Sequence, residues 1–122
     1  MAVKETFVNE KKKGARIPGG EPKVLSELVG YQEDSIVSRI LLQDEAGTVT
    51  VFAFDEGQAL SEHTVPFNAF IQVLDGMAEV IIGGKASNVK TGEIILMPGN
   101  VPHRVNAPQN FKMLLTMIKT PV

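Results

Sequence analysis

The sequence predicts an all-β domain, an antiparallel sandwich or barrel built from many short strands. Short runs rich in β-branched and aromatic residues recur from residue 35 to the end of the chain. Glycine- and aspartate-containing turns separate these runs at close spacing. No long window has the 3.6-residue period of an amphipathic helix. Many short strands at close spacing are typical of a sandwich or barrel.

Six runs are predicted as strands, over residues 36–42, 48–54, 69–74, 78–82, 93–97 and 111–118. Two of the intervening turns, Asp75-Gly76 and Gly83-Gly84, suit tight hairpins. In the last run, one face is wholly apolar and is predicted to point into the core; it carries Phe111, Met113, Leu115 and Met117. The opposite face is mixed, which suggests that part of it is covered, for example by a second subunit.

The chain divides into an N-terminal arm, residues 1–34, and a β-barrel, residues 35–122. Residues 1–23 are charged and poor in large apolar side chains, with a short extended piece expected over residues 5–9. Residues 24–30 fit a single helical turn and a strand equally well. The lysines at 11–13 lie in a polar stretch that also carries Glu5, Glu10 and Glu21, so we interpret them as part of a solvated arm rather than a binding patch.

Composition limits the class of protein. The length of 122 residues suits one domain with a real core, and 43% apolar with 21% charged residues is ordinary for a globular protein. The net charge of −2 predicts no nucleic-acid partner and no anionic membrane surface. The absence of cysteine excludes disulfides and thiolate chemistry. No apolar stretch reaches the length of a membrane span and the N-terminus is too polar for a signal peptide, so a cytoplasmic protein is expected.

The chain contains only two histidines, one in each of two glycine-bounded segments. The first segment has Gly57, His63 and Gly76 at the spacing G-x5-H with a closing glycine; the second has Gly92, Pro98 and His103 at the spacing G-x5-P-x4-H. This pair of motifs resembles the cupin superfamily, whose members are jelly-roll barrels of the double-stranded β-helix type. The resemblance covers about residues 36–118. The chain is most similar to small single-domain bacterial members that have the segments EHT-x-P-F-x-A and MP-x-N-x-PH.

The resemblance also implies what is missing. In metal-binding cupins, three histidines and a glutamate hold one ion, but the second-histidine position is Val65 here and the glutamate position is Ala69. Only His63 and His103 remain to hold a divalent transition metal such as Zn, Fe, Mn or Ni. Glu62 or Asn68 could add a third ligand only if a bulge reversed their register. In the second motif Asn100 stands where a glycine is usual, and asparagine tolerates the left-handed conformation such a turn needs.

Three functions remain open. The first is small-molecule binding in a barrel cavity with a mostly apolar lining and two polar groups, namely His63, His103, Phe67, Met97, Met113 and Met117. The second is an enzyme, either a metal-dependent oxygenase, isomerase or decarboxylase, or a metal-free one in which the two histidines act as acid and base. The third is a structural or regulatory barrel whose histidines bond only each other or water. We also expect a homodimer, formed by the apolar side of residues 36–42 and the mixed face of residues 111–118.

Overall fold

The computed structural model describes residues 14–122. Its strands are β1 (Gly14–Ala15), β2 (Ile36–Asp44), β3 (Gly47–Phe54), β4 (Ala59–His63), β5 (Asn68–Asp75), β6 (Met77–Ile82), β7 (Lys85–Lys90), β8 (Ile94–Met97), β9 (His103–Asn106) and β10 (Phe111–Ile118). They form two antiparallel sheets. The larger has the order β1-β2-β3-β10-β5-β8, and the smaller has the order β4-β9-β6-β7. The all-β prediction is therefore confirmed.

All six predicted strands are present, as β2, β3, β5, β6, β8 and β10. The sequence prediction missed β1, β4, β7 and β9, which are short or dominated by polar residues, so they lack a clear apolar alternation. The ambiguous residues 24–30 contain a single 3-10 turn, Leu25–Glu27. Within the described part of the chain no helix is long and apolar enough to cross a membrane. The extended piece predicted at residues 5–9 and the lysines at 11–13 lie outside the described residues.

The two glycine turns have different roles. Gly83-Gly84 closes a hairpin between β6 and β7, with Ile82 opposite Lys85, as predicted. The hairpin predicted at Asp75-Gly76 is wrong, because β5 and β6 belong to different sheets and this turn carries the chain from one sheet to the other. Gly76 has a positive φ of 75°, and a Cβ there would overlap the carbonyl oxygen of Asn110. Glycine is therefore required both by conformation and by close approach.

The main core lies between the two sheets and is rich in aromatic side chains from the larger one. Phe52, Phe54 and Phe111 are fully buried, and the rings of Phe54 and Phe111 stack with their centroids 4.4 Å apart. The apolar face of β10 faces this core, as predicted, with Met113 and Leu115 buried. Because β10 is paired on both sides, with β3 and β5, its inward side chains occupy the middle of the fold.

The outer face of the larger sheet is only half covered. A second apolar cluster on this face packs residues of the N-terminal segment, among them Val29 and Leu28, against Leu41, Val51 and Ala53. The amine of Lys112 on β10 donates to the carbonyl oxygen of Ser26 at 2.7 Å. Part of the mixed face of β10 is therefore covered by the same chain rather than by a second subunit. Farther along the sheet, toward β5 and β8, large apolar side chains stay exposed.

Candidate functional site

A cavity of about 400 Å³ opens between the two sheets. Its wall is mainly apolar and draws on both sheets, which is why no single stretch of sequence contains it. All the side chains predicted to surround a ligand lie in this wall: His63, His103, Phe67, Met97, Met113 and Met117. The structure thus brings these six residues together, while their binding role stays a prediction.

The two histidines meet because β4 and β9 are neighbours. His63 is the last residue of β4, His103 is the first residue of β9, and the antiparallel register places them directly opposite each other. Their imidazole rings touch edge to face, with centroids 4.4 Å apart and planes at 66°. His103 is 5% exposed, whereas His63 lies at the exposed end of its strand. Neither β4 nor β9 is among the six strands predicted from the sequence, so the position of both histidines at strand ends was not foreseen.

The segments that carry the histidines are also fastened together. The backbone N–H of Asn100 donates to the carbonyl oxygen of Val65 at 2.7 Å, and that of Gly99 donates to Oδ1 of Asn68 at 2.9 Å. Asn100 has a φ of 68°, so its predicted left-handed conformation is confirmed. The loop before His103 is thereby held against the segment after His63, which maintains the spacing of the pair.

Each imidazole uses Nδ1 to bond to a backbone carbonyl two residues earlier in the chain. Nδ1 of His63 lies 3.1 Å from the carbonyl oxygen of Ser61, and Nδ1 of His103 lies 3.2 Å from that of Val101. A carbonyl oxygen only accepts hydrogen bonds, so Nδ1 must carry the proton in both rings. In the neutral state each Nε2 is then a bare acceptor, and no hydrogen bond from residues 14–122 reaches it.

Burial favours the neutral state of the inner histidine. Desolvation lowers the pKa of His103 below its ordinary value of 6.5, the bond to the carbonyl of Val101 raises this pKa, and the neighbouring His63 lowers it again. The balance is a lowered pKa, so the His103 ring is neutral at neutral pH. The His103 ring therefore offers a hydrogen-bond acceptor rather than a positive charge.

The residues do not fit a resident catalytic metal. A histidine that ligates a metal commonly donates its other N–H to a carbonyl, and both rings satisfy this condition. A catalytic zinc or iron site, however, takes three protein ligands, and the described residues contain no cluster of three His, Cys, Asp or Glu side chains that could hold an ion. Val65 and Ala69 are apolar wall residues, and Oδ1 of Asn68 already accepts from Gly99. Glu62 is exposed and belongs to no such cluster.

Further residues line the cavity that the sequence analysis did not assign to it: Leu60, Val65, Ala69, Ile71, Arg104, Val105, Leu115 and Lys119. Strand alternation could have found several of these, since Ala69 and Ile71 share the inward face of β5. The guanidinium of Arg104 is held by Oδ1 of Asn106 at 3.0 and 3.2 Å. Lys119 follows the end of β10, and no sequence signal places it at the cavity.

Known structures share this fold over most of the chain. A conserved protein of unknown function from Streptococcus pyogenes is 32% identical with a TM-score of 0.84, over 91% of this chain and 97% of that one. A cupin 2 conserved barrel domain protein from Leptotrichia buccalis is 41% identical with a TM-score of 0.76; the match covers 78% of this chain but 46% of that one, so this chain spans about half of it. A cupin superfamily protein from Desulfitobacterium hafniense, 21% identical over 87% of this chain and 97% of that one, has the same fold with a TM-score of 0.81.

None of the curated proteins matches this chain. The sequence model of the cupin domain, in contrast, matches residues 50–119, a segment that begins in β3 and includes both histidine motifs. This segment is more than half of the chain, and the fold agrees with that of a solved cupin superfamily protein over 87% of the chain. The protein therefore belongs to the cupin family, as its two histidine motifs indicated.

Proposed function

We propose that this cupin binds a small organic molecule in the cavity between its sheets, with His63 and His103 as the polar contacts and without a resident metal. The observation that carries the proposal is the cavity itself, about 400 Å³ in volume, with two imidazoles at an otherwise mainly apolar wall. Small-molecule sites in proteins have volumes of about 300–1,000 Å³, a mostly apolar lining and a few convergent polar groups.

The hydrogen bonds of the two histidines favour ligand binding over a purely structural role. His63 is exposed, and Nε2 of His103 is not among the buried polar atoms of residues 14–122 that lack a partner, so solvent or a ligand can reach both rings. Here Nδ1 of each ring is satisfied by the backbone while Nε2 is not bonded by residues 14–122. An occupant that satisfies Nε2 explains both the histidines and the space beside them.

A metal-free enzyme is the second candidate, and the contact between His63 and His103 favours it. Two imidazoles with ring centroids 4.4 Å apart can pass a proton to and from one bound molecule. In acid–base pairs the surroundings commonly give the two groups different pKa values, and here burial lowers the pKa of the inner ring, His103. Turnover of a ligand found by the experiment below, and its loss when either histidine is replaced, would establish this second candidate.

The experiment is a fragment screen by ligand-observed NMR on untagged protein in the presence of EDTA. Ala69 lies in the cavity wall and is 4% exposed, so Ala69→Leu fills part of the space. Gln72 lies on the same strand but is exposed on the opposite face, so Gln72→Ala is the matched control. We expect fragments that bind the wild type and Gln72→Ala but not Ala69→Leu, with all three proteins folded by circular dichroism. Fragments that bind all three equally would contradict the proposal.

We also propose that the chain pairs with a second copy through the exposed half of the larger sheet. Five large apolar side chains on this face are 43–61% exposed, namely Leu42, Phe70, Ile94, Leu96 and Ile118. Phe70 lies opposite Leu96 on one side and Thr116 on the other, so the exposed residues of β5, β8 and β10 are neighbours. Together they expose roughly 400 Å², as much as the largest patch on an ordinary monomer and about half of what each partner buries in a stable dimer.

Sedimentation equilibrium of the untagged protein tests this interface. We expect twice the chain mass of 13.2 kDa for the wild type, and a monomer for Leu96→Lys, whose charge would be buried in the dimer. Val24 is apolar and 58% exposed but lies outside this patch, so Val24→Lys is the control and should remain dimeric. A monomeric wild type, or a Leu96→Lys variant as dimeric as the wild type, would contradict the interface.

A further inference from the structure

The hydrogen bonds of the histidine pair indicate which chemical class of ligand the cavity accepts. We infer that the cavity selects neutral, mainly apolar molecules that carry hydroxyl or N–H donors, because the buried imidazole of His103, whose Nδ1–H is bound to the backbone, offers it an acceptor. This inference rests on the proposed binding function and names the ligand class for the same site. It depends on which nitrogen of each ring is used up by the backbone.

The first step is the direction of the available hydrogen bonds. Ser61 and Val101 each accept from the Nδ1–H of the histidine two residues later in the chain, and both contacts are within the strands or the adjoining loop. A ring in this tautomer has no second proton, so Nε2 can only accept. An occupant with a hydroxyl or N–H group donates a hydrogen bond to Nε2. An ether, ketone or carboxylate oxygen is itself an acceptor, so its lone pairs would repel the lone pair of Nε2.

The second step is that the acceptors stay acceptors when the cavity is filled. Protonation would turn Nε2 into a donor, but His103 is almost fully buried, and its neighbour at 4.4 Å is another imidazole, which disfavours a second positive charge. An apolar ligand strengthens this preference, since it removes water from the pair. The inner ring therefore remains an acceptor in the complex.

The third step concerns the cationic residues in the wall, which would favour an anionic ligand if they faced it. The guanidinium of Arg104 is hydrogen-bonded to Asn106, whose amide in turn donates to Glu79 at 2.9 Å. His103 and Val105 on the same strand are buried while Arg104 and Asn106 are half-buried, which is the alternation of an inward and an outward face. The guanidinium of Arg104 is thus held in the outward network, and Lys119, the other lysine or arginine among the lining residues, has an interaction partner of its own.

Three probes of similar size test the inference, each titrated into untagged wild-type protein with EDTA to prevent metal chelation. Catechol has two hydroxyl donors, 1,2-dimethoxybenzene has the same oxygens without the donors, and benzoate carries a negative charge. We expect catechol to bind in the millimolar range or better, and the dimethyl ether to bind at least tenfold more weakly because it leaves the imidazole acceptors unpaired. Benzoate should bind no better than catechol.

A variant isolates the contribution of the acceptor. His103→Phe keeps a ring of similar shape but has no acceptor, so catechol and its dimethyl ether should bind it with nearly equal affinity. If this variant does not fold, the comparison of the three probes on the wild type still decides the inference.

The outcomes separate the inference from the function beneath it. Equal binding of catechol and its ether, with both lost in Ala69→Leu, would refute donor selection and leave the cavity as a binding site. Tightest binding by benzoate would also refute it, because a cation would then dominate recognition. If none of the three bound at millimolar concentration, the proposed binding function itself would be contradicted.

Discussion

Replacing two wall residues should turn this cavity into a metal site. Val65 and Ala69 occupy the positions at which metal-binding cupins carry their second histidine and their glutamate, and both line the same cavity as His63 and His103. The double variant Val65→His with Ala69→Glu would therefore provide four ligands where the wild type provides two. This change tests directly whether the missing side chains, rather than the fold, exclude the metal.

The expected magnitude follows from the burial of the site. Ala69 is 4% exposed, so an unpaired carboxyl group there should destabilise the metal-free variant by about 1–3 kcal/mol. Bound metal reverses this loss, because a ligand present at about 100 times its Kd stabilises the folded state by about 2.7 kcal/mol. For a domain of this length that corresponds to a rise in Tm of about 10 °C.

Thermal unfolding of untagged protein with and without Zn²⁺ or Mn²⁺ measures the effect. The variant Val65→His with Ala69→Gln is the matched control, since it has the same side-chain size without the carboxylate and should be stabilised less. If the metals raised the Tm of the wild type as much as that of the double variant, the two histidines would already hold a metal and our reasoning would be wrong. A folded double variant whose Tm did not change would show that positions 65 and 69 do not converge with the histidines.

Two further predictions concern the fold. The pKa of His103 is lowered on folding, so the unfolded state binds more protons in the window between this lowered pKa and pH 6.5. The free energy of unfolding should therefore fall with decreasing pH within that window, by at most about 1.4 kcal/mol per pH unit, and be constant above it. Urea unfolding should show this slope in the wild type and lose it in His103→Gln; an unchanged slope would assign it to other groups. Gly76→Ala should lower the free energy of unfolding by at least about 2 kcal/mol more than Gly84→Ala does, because both glycines have a positive φ but only at Gly76 does a Cβ meet Asn110 and Phe111. Equal losses for the two variants in urea unfolding would refute the steric argument.

Strand alternation allowed one inward face of this protein to be predicted from the sequence. The apolar face of β10 alternates with a mixed one, so its orientation was predicted; the same alternation exists in β5, although its inward residues were not assigned. The left-handed Asn100 was predictable for a local reason, since its conformation depends on a turn of a few residues. Features set by neighbours in the sequence were thus accessible.

Features set by pairing between distant strands were not. The turn at Asp75-Gly76 has residues that suit a hairpin, but β5 and β6 pair with strands of different sheets. No local feature of the sequence indicates which of these pairings forms. β4 and β9 have too few apolar residues to be recognised as strands, although their pairing positions His63 against His103. The homodimer and the cytoplasmic location stay predictions.

The same substitutions that remove a metal site can create a binding site. In a barrel where histidine and glutamate converge on an ion, their side chains fill the space between the sheets; valine at position 65 and alanine at position 69 leave that space to an occupant. The two histidines that remain keep their Nδ1–H groups bound to backbone carbonyls, an arrangement that is also common among metal-ligating histidines. In the proposed complex, a hydroxyl or N–H proton would take the place of the cation as the group that these lone pairs accept. On the proposal made above, two histidines of the metal motif stay at the cavity while the ligand would be an organic molecule rather than a cation.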